Sequence, residues 1–396
     1  MTTLGIALAL LATPALLASA YLLLLAAASR RRPVPRAAAC SVRFDVVIPA
    51  HDEESGIART VRSILATDYP AALRRVIVVA DNCTDATAAR AEAAGATVLV
   101  RDDASRLGKG YALATAFQCS LAHGFADAVV VVDADSVVSP NLLRAFAARL
   151  ETGAPAVQAA AEVLNAGDSW RTQLMALALA LFNGVRSLGR QNLGLSCGLR
   201  GNGMCLATST LRTHPYRAFS IVEDLEYGIA LGRAGVRVQY AAEATVSSAM
   251  VSSSSAAATQ RRRWELGRLK LARTLAASLL REAIRTRSVV LLDLCLDLMI
   301  VPLAYLALTI CAGCATSLIL CLSDSTVVLA CWMWFLSAAF VSAYFLRGWQ
   351  LSELGIRGVK TLARIPGYVA WKIAVLLNTP TSPQQWVRTA REEALR

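Results

Sequence analysis

Histidine is scarce in this sequence, since only three occur among 396 residues. They stand far apart along the chain, at His51, His123 and His214. Because histidine is a standard zinc ligand, this dispersal argues against a zinc centre built on histidines. Among the ten cysteines, Cys311 and Cys314 form a CxxC that has no second pair and lies in an apolar run. We interpret this CxxC as helix packing and not as a metal or redox site.

Charge is missing from the beginning of the chain. Residues 4–28 carry no charged side chain and are numerous enough to span a bilayer. A signal peptide would carry positive charge before a shorter apolar core, and this stretch has none there. The arginines of "SRRRPVPR" follow at once. By the positive-inside rule, they predict an uncleaved anchor with residue 30 onward in the cytosol.

Acidic residues are few beside the apolar stretches. The net charge of +12 is concentrated in residues 30–43, 261–287 and 347–396, whereas residues 44–260 are close to neutral. Because the positive charge lies next to apolar segments, it predicts a cytosolic membrane face. The same distribution argues against a nucleic-acid groove.

Two more uncharged runs, residues 298–322 and 326–346, are each long enough to span a membrane. Together with the first anchor they predict three spans, in agreement with a hydrophobic content of 56% and a mean hydropathy of +0.48. Asp293 and Asp297 precede the first of these runs, and both a functional role and a position at the interface remain open for them. We predict five regions: a membrane anchor (1–29), a cytosolic α/β domain (30–260), basic interfacial helices (261–288), two transmembrane helices (289–346) and an interfacial, cytosolic tail (347–396).

Buried strands alternate with helical stretches through residues 44–163. The strand candidates are "FDVVIPA" (44–50), "RVIVVAD" (75–81), "ATVLV" (96–100) and "AVVVVDAD" (128–135). This alternation predicts a mostly parallel sheet with helices on both faces. Such sheets bind ligands beyond the carboxyl ends of their strands, where Asp81, Asp133 and the "PAHDEE" turn (49–54) lie.

Two carboxylates, Asp133 and Asp135, end the most apolar of these strands in "VVVVDADS". On an extended chain, side chains at i and i+2 point the same way. The sequence therefore predicts that the two carboxylates can hold one cation between them.

Seven short motifs together resemble the membrane-bound members of glycosyltransferase family 2. These members include cellulose, hyaluronan and chitin synthases and ceramide glucosyltransferases. In chain order, the motifs are "VVIPAHDEE", "VVADNCTDAT", "GKGYAL", "VVVDADS", "GNGMCLA", "VEDLEYG" and "QRRRW". The resemblance implies a GT-A-type α/β domain with a mostly parallel sheet, joined to transmembrane and interfacial helices.

The resemblance also implies a donor site for a nucleotide sugar. It assigns Asp135 as a ligand of Mg²⁺ or Mn²⁺, with Asp133 beside it at the donor's ribose or sugar. A hard cation on carboxylates would neutralise the departing diphosphate. Asp81 is expected at the uracil base, with Pro49 and Glu53 near the nucleotide.

Lys109 and the "VED" motif complete the implied chemistry. Lys109 stands between two glycines and suits a phosphate or base contact. Transfer with inversion needs a base for the proton of the acceptor hydroxyl, and the resemblance assigns Asp224 to this role with Glu223 in support. The remaining expected residues come from "GNGM", at the acceptor pocket, and from "QRRRW", at the diphosphate and the acceptor sugar: Gly201, Asn202, Gly203, Gln260, Arg263 and Trp264.

The resulting expectation is an inverting hexosyltransferase of the inner or plasma membrane that uses a UDP-sugar. Its acceptor is lipid-linked, in cell-surface polysaccharide or glycolipid assembly. A processive polysaccharide synthase and a ceramide-type glucosyltransferase remain as alternatives, and an inactive membrane scaffold is less favoured. Three spans are few for an export channel unless the protein forms oligomers, a point the sequence leaves open.

Overall fold

The computed structural model describes residues 2–35, 40–250, 254–352 and 354–355, and for residues 254–263 it describes the backbone only. Most of the predicted C-terminal tail therefore lies outside the described residues. The strands are β1 Phe44–Ala50, β2 Arg74–Asp81, β3 Thr97–Arg101, β4 Ala128–Val131, β5 Ser136–Val138, β6 Ala156–Val163, β7 Met204–Ala207 and β8 Val238–Ser248. The helices are α1 Thr3–Ala28, α2 Ile57–Leu65, α3 Thr87–Ala93, α4 Lys109–His123, α5 Leu142–Leu150, α6 Trp170–Leu179, α7 Arg186–Asn192, α8 Thr208–Thr213, α9 Glu223–Arg233, α10 Ser254–Thr286, α11 Val289–Met299, α12 Leu303–Cys321 and α13 Val328–Leu351.

One sheet contains all eight strands, in the order β3-β2-β1-β4-β7-β6-β8-β5. The first four strands are mutually parallel, and β7 pairs with both β4 and β6 in the antiparallel sense. β8 then runs parallel to β6 and antiparallel to β5. The predicted mostly parallel sheet is therefore confirmed, with an antiparallel strand inserted beside β4.

The buried strands owe their positions to apolar residues on both faces. Val130 in β4 packs in the cluster that contains Phe146 of α5, and Val129 and Val131 pack in the cluster that contains Phe117 of α4. Successive residues of a strand point to opposite faces, so an unbroken valine run supplies both layers. The strands' carboxyl ends are thereby held at one edge of the sheet.

The strand predicted over residues 128–135 is shorter than expected. β4 ends at Val131, and a turn over residues 133–136 follows, in which the Ser136 amide donates to the carbonyl of Asp133 at 3.1 Å. The chain must leave β4 here, because Ser136 begins β5 and pairs with Ser248 elsewhere in the sheet. The argument that Asp133 and Asp135 share a face of an extended strand was therefore wrong.

Three helices are long and apolar enough to cross a membrane: Thr3–Ala28, Leu303–Cys321 and Ser325–Leu351. This agrees with the number of spans predicted for the part of the chain described. The first C-terminal run was expected to begin at residue 298, but α11 ends at Met299 and α12 begins at Leu303. Pro302 explains the break, because proline disfavours helix at the residue before it and lacks an amide proton.

Helices α1 and α13 lie side by side and run in the same direction. At one end, the hydroxyls of Thr2 and Thr326 are 2.6 Å apart. At the other end, Arg347 Nε donates to Ser29 Oγ at 2.8 Å. A Cβ added at Gly5 would lie 2.5 Å from the Thr326 carbonyl oxygen, so the contact depends on the absence of a side chain there.

Candidate active site

The predicted site residues lie mainly where strands end and helices begin. Asp133 follows β4, Lys109 is the first residue of α4, and Glu223 and Asp224 open α9. Gly201 lies in the loop before β7. The fold thus brings to one edge residues that are more than 100 positions apart in the sequence.

Lys109 is at the centre of this group. Its Nζ donates to Asp133 Oδ1 at 2.5 Å and to the Gly201 carbonyl at 2.8 Å. The same Nζ lies 3.9 Å from Glu223 Oε1. Burial lowers the pKa of Lys109, but Asp133 and Glu223 outweigh it and raise the pKa above its ordinary value. Lys109 is therefore a fixed cation between the turn after β4 and the start of α9.

Gly201 lets the backbone approach the acidic pair. Its φ is +76°, which favours glycine, and a Cβ there would lie 3.2 Å from Asp224 Oδ2 and 3.4 Å from Lys109 Nζ. Only a hydrogen at this position leaves the Asp224 carboxylate uncrowded.

Glu223 and Asp224 both have raised pKa values, and burial is the main cause. Burial raises the pKa of Glu223 to about 7, although Lys109 opposes this shift. Burial also raises the pKa of Asp224, against the opposing effects of the Leu225 amide, Lys109 and Arg200. A carboxylate with a raised pKa is a stronger base, which suits it to accept a proton from a hydroxyl.

Asn202 holds the turn that carries the two aspartates. Its Oδ1 accepts from the Asp133 amide at 3.0 Å, and its Nδ2 donates to Ser136 Oγ at 2.9 Å and to Ser248 Oγ at 3.1 Å. Ser136 Oγ in turn donates to Asp135 Oδ1 at 3.2 Å. Ser136 and Ser248 were not predicted. Their role in holding this turn follows from the pairing of β5 with β8 and not from a sequence motif.

The donor set at this turn fits a divalent hard cation. Asp133 and Asp135 are half-buried and offer carboxylate oxygens, the ligands that Mg²⁺ and Mn²⁺ prefer. Two side-chain groups, Lys109 Nζ and Ser136 Oγ, donate to these carboxylates. A second group, Asp52, Cys83 and Asp85, has ligand atoms within 4.8 Å of one another. Backbone amides already occupy its oxygens, since Thr84 donates to Asp52 at 2.7 Å. We interpret the second group as loop structure.

Asp81 lies at the end of β2, beside an arginine side chain that the sequence did not predict as its partner. Arg101 Nη1 donates to Asp81 Oδ1 at 2.5 Å, and Asn82 Nδ2 donates to the same oxygen at 3.0 Å. Burial raises the pKa of Asp81, while Arg101 lowers it. Arg101 is the last residue of β3 and the register partner of Asp81, so its place at a strand end was the available signal.

The other predicted nucleotide contacts lie at the same edge. Pro49 is opposite Val79 in the β1–β2 ladder. The Glu53 amide donates to Thr87 Oγ1 at 2.7 Å and joins the first loop to α3. Gly203, which was predicted at the acceptor pocket, has φ +69° and precedes β7 directly.

The "QRRRW" residues are described in part. The side chains of Gln260 and Arg263 lie outside the described residues. Trp264 lies on α10 with 41% of its surface exposed. An exposed aromatic face on this helix is available to a ligand.

A sheet of this topology with an acid pair, a half-buried lysine and two aspartates at one edge is typical of a glycosyltransferase. The sequence profile described as "Glycosyltransferase like family 2" matches residues 42–267, more than half of the chain. The chain therefore belongs to this family, as the motifs predicted. No curated protein sequence matches the chain significantly.

Solved structures share the fold at low sequence identity. The mannosyltransferase PcManGT from Pyrobaculum calidifontis, in complex with GDP-Man and Mn²⁺, is 18% identical, covers 84% of this chain and 97% of its own, and has a TM-score of 0.55. Glucosyl-3-phosphoglycerate synthase from Mycobacterium tuberculosis, in complex with Mn²⁺ and UDP, is 24% identical, with 62% and 86% coverage and a TM-score of 0.41. The likeness to PcManGT confirms the GT-A-type fold.

Proposed function

We propose that this glycosyltransferase transfers a sugar, with inversion, from a nucleotide sugar to a membrane-associated acceptor. One observation carries the proposal. Lys109 bonds to Asp133, on the side expected for the donor, and lies 3.9 Å from Glu223 in the acid pair. A single cation thus connects the groups needed for donor binding and for proton removal.

The donor side uses the edge formed by β1, β2 and the turn after β4. Asp81, Pro49 and Glu53 would contact the nucleotide, which we take to be uridine-linked. Asp135, with Asp133, would hold Mg²⁺ or Mn²⁺, and the ion would neutralise the diphosphate. The PcManGT structure holds GDP-Man and Mn²⁺, which supports a nucleotide-sugar donor bound together with a divalent cation.

The acceptor side uses the start of α9. Asp224 would take the proton of the attacking hydroxyl while the new bond forms at the anomeric carbon and the bond to the diphosphate breaks. Glu223 and Lys109 would fix its position and charge. Because the nucleophile attacks opposite the leaving group, the product has the inverted configuration.

The acceptor class and the membrane orientation are further parts of the proposal. Residues 30–260 and the basic helices of 261–288 would lie on the cytosolic face of the inner or plasma membrane, with spans at 1–29 and within 289–346. We favour a lipid-linked acceptor in cell-surface polysaccharide or glycolipid assembly over a processive synthase. The three apolar helices found among the described residues support this choice, because three helices are few to enclose a polar chain unless the protein forms oligomers.

The test is Asp224→Asn, which keeps size and removes basicity. Sugar transfer should fall by roughly 10²–10⁴-fold, while calorimetric UDP binding with Mn²⁺ stays near wild type. Glu226→Gln is the matched control on the same helix, where Glu226 Oε2 accepts from the Ser220 amide, and it should keep transfer. Equal loss of nucleotide binding and transfer in Asp224→Asn would place Asp224 in the donor site and refute the assignment.

A further inference from the structure

A cluster of charged side chains lies between the sheet and the apolar helices. It surrounds the ring of Phe182, whose centroid is 4.3 Å from Arg200 Cζ, 4.9 Å from Arg186 Cζ and 5.5 Å from Arg268 Cζ. The arginine cluster comprises Arg186, Arg190, Arg200 and Arg268, with Asp293 and Asp297 as its carboxylates.

The two carboxylates bind mainly two of the four arginines. Asp297 lies 3.0 Å from Arg186 and 2.8 Å from Arg190, and Asp293 lies 3.0 Å from Arg190. Arg268 is farther from the Asp297 carboxylate, at 3.8 Å, and its Nη2 donates to the Asp297 carbonyl oxygen. Four guanidinium groups therefore face two aspartates, which leaves an excess of two positive charges in a largely buried place.

Arg200 and Arg268 account for this excess. Among the described residues, Arg200 has no carboxylate within ion-pair distance. Its Nη2 donates to the Cys197 carbonyl at 3.2 Å, and its buried Nε has no partner there. Burial lowers the pKa of Arg200, and it lowers the pKa of Arg268 to about 10 although Asp297 opposes it. Buried cations without full compensation are costly, so an anion would stabilise them.

The cluster lies between the proposed chemistry and the apolar helices. Arg200 directly precedes Gly201, whose carbonyl binds Lys109, and its charge acts on Asp224. On the other side, Arg186 Nε donates to the Tyr344 hydroxyl of α13 at 3.2 Å. The Tyr21 hydroxyl of α1 donates to Asp293 at 2.7 Å. A group bound here would be close to the acid pair and next to two candidate membrane spans.

The backbone beside the cluster is irregular. Phe182 lies in a π-helical segment, Ala180–Val185, between α6 and α7. Such segments occur frequently at functional sites. Asn183 Oδ1 and Ser187 Oγ are buried here without partners among the described residues. Unsatisfied polar atoms beside arginines that outnumber their carboxylates indicate a place for a polar ligand group.

We propose that Arg200 and Arg268 bind a phosphate monoester carried by the lipid acceptor. The inference rests on the proposed function, because it assigns the ligand to the acceptor side. A phosphate monoester carries about −1.5 to −2 charge near neutral pH, which matches the excess of the cluster. Guanidinium groups bind phosphate through paired N–H donors. The neighbouring apolar helices α1 and α13 would accommodate the lipid tail.

The experiment uses the full chain in phosphatidylcholine nanodiscs and three probes that share a glycerol unit. Lysophosphatidic acid has tail and phosphate, monoacylglycerol has the tail alone, and glycerol 3-phosphate has the phosphate alone. Lysophosphatidic acid should raise the melting temperature of the wild type, and the other two probes should not. Equal shifts with glycerol 3-phosphate would refute a lipid ligand, and the absence of any shift would refute the site.

The variants are Arg200→Gln and Arg268→Gln, with Arg281→Gln as the exposed control on α10. Both cluster variants should bind lysophosphatidic acid at least tenfold more weakly, and the control should match wild type. An undiminished shift in both would show surface attraction only and overturn the proposal. Arg200→Gln decides the question if Arg268→Gln misfolds, because Arg200 holds no carboxylate among the described residues.

Calorimetric UDP binding with Mn²⁺ separates this inference from the proposed function. Both cluster variants should bind UDP as tightly as wild type. If they lose UDP in parallel with lysophosphatidic acid, the cluster belongs to the donor diphosphate and the inference fails, while the proposed function stands. If the wild type binds neither UDP nor GDP, the proposed function fails, and the lysophosphatidic acid result still decides whether the phosphate site exists.

Discussion

At the residue scale, Glu223 gives the protein a stability that depends on pH. Its pKa is about 7 in the fold because of burial, above the 4.5 of an exposed glutamate. The folded state therefore binds more protons than the unfolded state between these values, so stability should be full below about pH 4.5 and fall as pH rises to about 7. Glu223→Gln should remove this loss and raise the melting temperature at pH 8 relative to wild type.

Thermal unfolding in detergent at several pH values would check this expectation. Glu226→Gln is the control, and its melting temperature should follow that of wild type across the range. If the melting temperature of the wild type instead rises between pH 5 and pH 7, and Glu223→Gln follows the same curve, then Glu223 is ionised in the fold and the expectation is wrong.

At the element scale, the loop between α7 and β7 depends on glycines for two different reasons. Gly198 and Gly203 have φ of +76° and +69°. A Cβ at Gly198 would meet nothing within 4 Å, whereas one at Gly203 would lie 2.7 Å from Val246 and 3.1 Å from Ala159. Gly198→Ala should cost only backbone strain, about 1–2 kcal/mol. Gly203→Ala should add about 1–3 kcal/mol of overpacking and weaken transfer, because Asn202 would move.

The measurement is the free energy of unfolding and the transfer rate of both variants. Equal destabilisation by the two alanines would mean that Val246 and Ala159 move aside without a loss of stability. The close contacts at Gly203 would then not require glycine.

The elements differ in how far the sequence could predict them. β1 and β2 were predictable because local apolar residues determine them, and α9 because acids open it and Gly235 follows it. The turn that ends β4 depends on Ser136 meeting Ser248, 112 residues away. No local pattern contains that pairing.

The same limit applies to the charged side chains of the candidate site. Lys109 was expected to contact the nucleotide, but its position between Asp133 and the Gly201 carbonyl required the folded chain. Asp293 and Asp297 were visible as a helical pair. Their main arginine partners, Arg186 and Arg190, lie roughly 100 positions earlier, and Arg186 is 111 positions from Asp297, so sequence spacing could not identify them.

At the scale of the whole molecule, the parallel pairing of α1 and α13 restricts the membrane orientation. Thr2 and Thr326 share one end, and Ser29 and Arg347 share the other. The arginines after α1 should keep the second end in the cytosol. An impermeant maleimide should therefore label Thr2→Cys in intact cells, and should label the exposed Cys119 only after permeabilisation.

Cys119→Ser is the control, since it should reduce the labelling that appears on permeabilisation by the share that Cys119 contributes. Labelling of wild type in intact cells that disappears in Cys119→Ser would place the sheet domain outside and reverse the orientation.

The pairing of α1 with α13 also has a consequence for biosynthesis. Thr2 leaves the ribosome 324 residues before Thr326, which at about 5–20 residues per second is a delay of roughly 16–65 s. During this delay, the α1 face that includes Ala12, Ala15 and Leu22 lacks the partner that later buries it. The sheet can form meanwhile, because its strands end at Ser248, before α13 is made. A chain that stalls before α13 would therefore carry a folded sheet attached to an anchor helix whose packing face is uncovered. Membrane quality control could recognise such a chain by this exposed face of α1.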